Sequence, residues 1–430
     1  MIFGVIVILL LGVVAYFHYV QGLLSGVLSA TCAAVAAALA FSYHEPLAQM
    51  LLGGKMADQA NAMILVAMFA FIYLILRVIF DNLVPGNVRM PAIVDKVGGA
   101  ITGLIAGVFA IGILAIGAET LPFGPSIGGY ARYGLADQNE VKLPTSGQAQ
   151  DTYVFNELKS DKINPDDATH LIIPVDDMVV GLVSKLSNGG SLEGDRALTS
   201  VHPDYLDEAF FNRLGMQVGA KHVAVNTEKQ QQVKVESLFA VDSLPQMEAE
   251  IPQIRAPRKD LKTLASNPGN QILVVRVTFS EQASDDDHLV RVSPAAVRLV
   301  ANGVNYLPLG TMENGVLGAN KPDDFLIVEP GKAVDFVYYV PRADVLTGGA
   351  SPSAGKKTPK AAGPSGADES AGSAMKVNRG VFIEAKRMAR VDLSGKDVST
   401  TVEGGADGVM RKKGIELAPV GEHVPEKEKK

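Results

Sequence analysis

The stretch Val94-Asp95-Lys96-Val97-Gly98-Gly99-Ala100-Ile101-Thr102-Gly103-Leu104-Ile105-Ala106-Gly107 decides the fold. It opens an apolar run, Val97 to Ala118, long enough for a helix to cross the ~30 Å hydrocarbon core of a bilayer. Its glycines Gly99, Gly103 and Gly107 fall on one helix face, which is thereby stripped of side chains. In lipid such a face lets a neighbouring backbone come close, and close packing is what holds membrane helices together. Three further apolar runs precede it. Ile2 to Phe17 extends to about Val20, with His18 and Tyr19 at the headgroup level; Leu23 to Tyr43 follows almost at once; Ala62 to Leu76 continues past Arg77 to Phe80. The short connection His18 to Gly22 permits only an antiparallel hairpin, and a loop from His44 to Asn61 leads to a second one. The expected fold class is therefore an integral membrane protein with a four-helix transmembrane bundle of two hairpins over residues 1–123.

Charge divides the chain of 430 residues at about the same place. Up to Arg132 charged residues are few and balanced, Lys55, Arg77, Arg89, Lys96 and Arg132 against Glu45, Asp58, Asp81, Asp95 and Glu119, so the net charge of -7 arises later. An acidic soluble part excludes a nucleic-acid partner, which requires clustered Lys and Arg. The sole cysteine, Cys32, lies in the second apolar run, so no intramolecular disulfide forms. The first run lacks the basic n-region of a signal peptide, and Leu28-Ser29-Ala30-Thr31-Cys32, faintly like a lipoprotein cleavage site, sits inside continuous apolar sequence; both read as uncleaved membrane helix.

Packing cues recur at Gly22, Gly26, Ala30, Ala34 and Ala38 in the second helix, matching Gly99, Gly103 and Gly107 in the fourth. Packing within the bundle is the first reading of these faces, and a homo-oligomer seam the second. Arg77, Arg89 and Lys96 flank the connection between the third and fourth helices, against Lys55 and Arg132 on the other side, which places both hairpin turns in the cytoplasm and the soluble part outside. Arg77 reads as a snorkelling interfacial anchor, and Asp95 with Lys96 as a helix cap and topology signal.

The run Val94 to Gly103, preceded by a third helix ending in Ile75-Leu76-Arg77, resembles the colicin V production protein (CvpA) family. That family has a four-helix inner-membrane module whose fourth helix opens with Asp-Arg/Lys and then glycines about four apart. Two of its usual features are absent here: Gln21-Gly22 replaces a basic residue and glycine, and the first helix lacks an early acidic residue. The resemblance covers roughly residues 1–125 and implies a link to colicin V production or export and to envelope integrity, without enzymatic activity. Some relatives fuse the module to a periplasmic serine protease.

Beyond it, residues 124–168 read as a Gly-, Pro- and polar-rich tether. Residues 169–220 carry two short helices. Pro174 to Leu186 aligns Met178, Val179, Leu182, Val183 and Leu186, and Pro203 to Leu214 aligns Leu206, Phe210 and Leu214. Residues 221–400 alternate as strands, among them His222 to Val225, Val233 to Phe239, Gln271 to Ser280, Leu289 to Val292, Ala296 to Val300, Phe325 to Val328, Val334 to Val340 and Val381 to Leu393. Their spacing suggests a soluble α+β segment followed by an immunoglobulin-like β-sandwich, with a disordered insertion at 348–374 and a charged flexible tail at 401–430.

No catalytic or metal site emerges, and no cofactor is implied. There is no Gly-x-Ser-x-Gly element, and the seven histidines show no metal-ligand spacing. His202 before Pro203 reads as a helix-entry residue, and Asp285-Asp286-Asp287 as a solvated turn rather than a calcium loop. The expectation is a non-enzymatic, multi-pass inner-membrane protein presenting an extracytoplasmic domain to an envelope protein or the cell wall. The alternative is a component of a membrane export or transport complex whose bundle lines or joins the path.

Overall fold

A backbone in hydrocarbon has no water to bond, so apolar runs of this length close their hydrogen bonds internally as helices. The computed structural model shows four: α1 (Ile2–Gln21), α2 (Leu23–Leu51), α3 (Ala57–Leu83) and α4 (Ala92–Thr120), each long and apolar enough to cross a membrane. Three shorter helices follow, α5 (Val175–Ser187), α6 (Leu198–Val201) and α7 (Tyr205–Leu214). The structure describes residues 2–51, 57–84, 90–133 except 125, 169–187, 198–214, 224, 226, 231–245, 263–347 except 267, 286, 294–295, 314–315 and 320–325, 375–400, 411–412 and 415–416. Arg89, nearly all of the tether at 124–168, the insertion at 348–374, most of the 401–430 tail and three of the four residues His222 to Val225 lie outside them. The described residues form two compact units. One contains α1 to α7 with residues 224, 226 and 386–388; the other contains the rest of the chain from 231 onward.

In the first unit α4 is the axis, packed against each of α1, α2 and α3, while α1 and α2 diverge from their turn. That turn is a single residue: Gly22 has φ +94°, a left-handed conformation that a side chain would strain. The Leu23 N–H donates to Asp95 Oδ1 at 2.8 Å, so the acid at the head of α4 caps the neighbouring helix α2 rather than its own. The ladder meets backbone at Gly99 and side chains of α1 at Gly103 and Gly107. A Cβ on Gly99 would lie 2.8 Å from the Gly22 carbonyl carbon, one on Gly103 2.8 Å from His18 Cγ, and one on Gly107 3.2 Å from Leu11 Cδ2. Lower in the bundle Ala33, Ala36, Ala37 and Ala40 of α2 let Phe109, Ile113 and Ile116 of α4 and Leu65 and Phe69 of α3 share one core.

Helix ends differ from the sequence expectation. α2 runs on past Tyr43 through Pro46, at the cost of one intrahelical hydrogen bond, and α4 begins before Asp95 and reaches Thr120. Hydropathy marks where apolar character fades, but the helix continues as long as partners satisfy its polar residues.

In the second unit β1 (Val233–Val241), β2 (Asn270–Phe279), β3 (Val297–Ala301), β4 (Val304–Tyr306), β5 (Gly310–Glu313), β6 (Val316–Ala319), β7 (Ala333–Pro341), β8 (Phe382–Ala385), β9 (Ala389–Asp392) and β10 (Ser399–Thr400) build the two larger sheets. Their orders are β10-β1-β2-β7-β5-β6 and β9-β8-β3-β4. Both are open, with β10 parallel to β1, and the immunoglobulin-like sandwich expected from strand spacing is not supported. Strand spacing reports strands and not their connectivity. Nor do the central strands β2 and β7 alternate cleanly, since nearly every residue along them is buried. Two further strands, Leu346–Thr347 and Lys376–Val377, pair with each other across residues 348–375.

The large sheet buries an ion pair. Arg276 and Asp335 are cross-strand partners, and the guanidinium donates to both carboxylate oxygens at 2.8 and 2.9 Å, the forked geometry that compensates two desolvated charges. Asp335→Ala takes the forked carboxylate partner away from buried Arg276 and is expected to cost about 3–5 kcal/mol. The double variant with Arg276→Met should recover most of that loss. Tyrosine fluorescence during denaturant unfolding of the full chain in detergent measures both.

Candidate functional site

The candidate site is polar and lies at the end of the bundle where α2 and α4 terminate. Extension of α2 carries His44 and Glu45 into the fold, and extension of α4 does the same for Glu119; all three are buried. Charged residues in such a position are costly in hydrocarbon and call for partners. The chain after the bundle provides them.

Glu45 meets His202. The ring Nε2 lies 2.5 Å from Glu45 Oε1, and the ring Nδ1 is bonded to Glu208 of α7. The imidazole thus bridges two carboxylates through its two ring nitrogens. His202 is 2% exposed, so the sequence reading of it as a simple helix-entry residue is corrected: it joins α2 to α7. Phe41 and Tyr205 pack edge to face beside it, with ring centroids 5.2 Å apart. His44 Nδ1 donates within its own helix, to the carbonyls of Ala40 and Phe41.

Glu119 belongs to a second group. Arg132 donates from Nη1 to Asp177 Oδ1 at 2.9 Å and from Nε to Asp207, so one guanidinium joins the heads of α5 and α7. Burial alone would lower the Arg132 pKa, but the carboxylates of Asp207 and Asp177 outweigh it and hold it raised. Thr169 N–H and Oγ1 bond the Arg132 carbonyl at 2.6 and 2.9 Å, which fixes the return of the chain to α5. Asp176, 0% exposed, has no hydrogen-bond partner of ordinary geometry on either carboxylate oxygen. Burial, and then the neighbouring charge of Asp177, push its pKa up. Burial also raises the Tyr130 phenol, and the charges of Glu119 and Asp176 add to that shift. Burial opposes the charge on Arg213 of α7, with Glu119 partly offsetting it.

The axis of α4 decides the kinship of this unit: small residues at Gly99, Gly103 and Gly107, an acid and a lysine at its head, and three helices packed around it. Residues 3–128 match the colicin V production protein family. No curated protein and no solved structure matches the chain. The matched residues thus contribute Glu45 and Glu119 to the polar groups, whereas Arg132, Asp176, Asp177, His202, Asp207, Glu208 and Arg213 all follow them.

The residues singled out in the sequence occupy the opposite end and the axis. Gly22, Gly26, Gly99, Gly103 and Gly107 lie in the α1–α2–α4 contact, and Ala30 is half-buried on α2. Lys96 Nζ sits 5.7 Å from the Tyr19 ring centroid. Arg77 does more than reach for the interface: it donates to Ser25 O at 3.1 Å and Ser25 Oγ at 2.8 Å, tying α3 to α2, and pairs with Asp81. In the second unit Asp285 and Asp287 both bond Arg291, which neutralises the acidic turn from within the protein. Sequence reasoning missed Glu45 and Glu119 because Pro46 and the end of the apolar run looked like helix ends. The available signal was that each follows directly on an apolar run that a one-turn extension would include.

Two outcomes follow for this end of the bundle. His202→Ala leaves Glu45 and Glu208 buried without their shared partner and is expected to lower stability by about 3 kcal/mol, read as a fall in thermal midpoint in detergent. Asp176 binds its proton more tightly folded than unfolded. Its contribution therefore makes stability fall as pH rises above the usual aspartate range, up to its raised folded value. Asp176→Asn removes that component, so the variant should be the more stable of the two at neutral pH and show a flatter midpoint profile as pH rises above the usual aspartate range.

Proposed function

We propose that this protein is a non-enzymatic scaffold of the inner membrane, in which a colicin V production module carries a β-rich domain outside the cytoplasm to bind an envelope protein or the cell wall. The observation that carries the reading is the glycine-lined axis. α4 meets the backbone of the α1–α2 turn at Gly99 and takes side chains of α1 against Gly103 and Gly107, a seam suited to holding helices and unsuited to conducting along them. The polar groups at the helix ends support it as well. Arg132 and His202 each bond two carboxylates and so fasten successive elements together. An extracytoplasmic β-rich unit fits the basic residues Arg77 and Lys96 near the turn between α3 and α4, together with an even number of spans, which returns the chain to the side on which α1 starts. Open sheet edges suit recognition of an extended partner strand. The matched family supports a link to colicin V production.

Single cysteines at Glu281 and Asn82, in a Cys32→Ala background, test the placement with a membrane-impermeant maleimide on intact cells. Labelling at Glu281 and not at Asn82 is expected. The reverse pattern puts the β-rich domain in the cytoplasm and ends the envelope-binding reading. Co-sedimentation of the purified full chain with isolated cell wall then separates a wall ligand from a protein one.

A further inference from the structure

Helix α5 carries one broad apolar stripe that is only partly covered. Val175, Val179 and Val183 are buried, while Met178, Leu182 and Leu186, on the adjoining flank of the stripe, are 50%, 37% and 42% exposed. Its buried face packs on the transmembrane helices themselves. Val175 O and Val179 Cγ2 each lie 2.6 Å from where a Cβ on Gly112 of α4 would stand, and Val179 and Val183 share one core with Ala33, Ala36, Phe109 and Ile113.

The depth of that contact follows from α1. With 20 residues α1 is about 30 Å long, just the thickness of the hydrocarbon core, so its position fixes the membrane. Leu11, at its midpoint, meets Gly107, and Gly4, near its start, meets Ile172. Gly112 is five residues beyond Gly107, about 7.5 Å from the midplane, where the half-thickness is about 15 Å. The start of α5 therefore lies several ångströms inside the hydrocarbon, among Val7, Leu11, Ile111 and Ala115. At 13 residues it is too short to span. At the embedded first turn Asp177 is paired with Arg132, which offsets its charge, and Lys185 stands in the last turn, where a long side chain reaches back to the surface.

We propose that α5 is a fifth membrane-embedded element, entering the leaflet at the Glu119 end of the bundle and leaving on the same side, with Met178, Leu182 and Leu186 against lipid acyl chains. It fills the space left where α1 and α2 diverge. The membrane domain then extends beyond the colicin V production module, whichever way the bundle faces.

The test uses the full chain with Cys32→Ala, spin-labelled at Leu182→Cys and reconstituted in phosphatidylcholine–phosphatidylglycerol vesicles. Collision with oxygen, which partitions into lipid, is compared with collision with a water-soluble nickel chelate. Leu9→Cys on the exposed face of α1 and Glu281→Cys on the β-rich unit are the lipid and water references. The Leu182 label should favour oxygen over nickel several-fold more than the Glu281 label and approach the Leu9 ratio. Nickel accessibility equal to that at Glu281 overturns the proposal. Low accessibility to both reagents also overturns it, because another protein surface then covers the face. Met178→Cys repeats the measurement should Leu182→Cys fail to fold.

Discussion

Everything in the membrane unit depends on how closely α4 approaches the α1–α2 hairpin. At Gly99, Gly103 and Gly107 the approach leaves no room for a Cβ without displacement of a neighbour, and on the partner side the turn itself is a glycine with positive φ. Helices surrounded by lipid gain little from hydrophobicity against one another, so the packing distance sets the energy of association. The same closeness puts Asp95 within reach of the Leu23 N–H and Arg77 within reach of Ser25. With wider spacing those links would be replaced by unsatisfied backbone groups in a medium that cannot solvate them.

The four spans, the hairpin turn at Gly22 and the glycine ladder were legible in the residues because lipid imposes strict rules on length and composition. The longer strands were legible to within a few residues for the same kind of reason, since apolar sequence bounded by turn residues has few alternatives, whereas the short strands β4, β5, β6 and β10 were not. Connectivity was not: which strands neighbour β2 depends on contacts far apart in sequence. The polar groups were also hidden. Glu45 and His202 lie 157 positions apart, and neither is unusual in its own local sequence. What reveals them is burial, which only the folded chain displays.

A shared device runs through both units. Buried charge is compensated by partners from a distant segment: His202 between Glu45 and Glu208, Arg132 between Asp177 and Asp207, Arg276 across from Asp335, and Arg298 across from Glu384. Such pairs add little net stability over apolar packing, yet breaking one is costly. They penalise wrong pairings of elements more than they reward the right one. Among the described residues Asp176 is buried beside these groups with no hydrogen-bond partner of ordinary geometry on its carboxylate oxygens.

The pairing of Leu346–Thr347 with Lys376–Val377 has a consequence for how this protein can change over evolutionary time. Because the two strands meet, the chain between them starts and ends at one place on the fold. Lengthening a closed loop is cheap, about 0.6 kcal/mol for each doubling, so material can be gained or lost there without a change of register in either larger sheet. The position is a natural port for grafting, where a lineage, or an engineer, can exchange one segment for another while the domain beneath keeps its architecture.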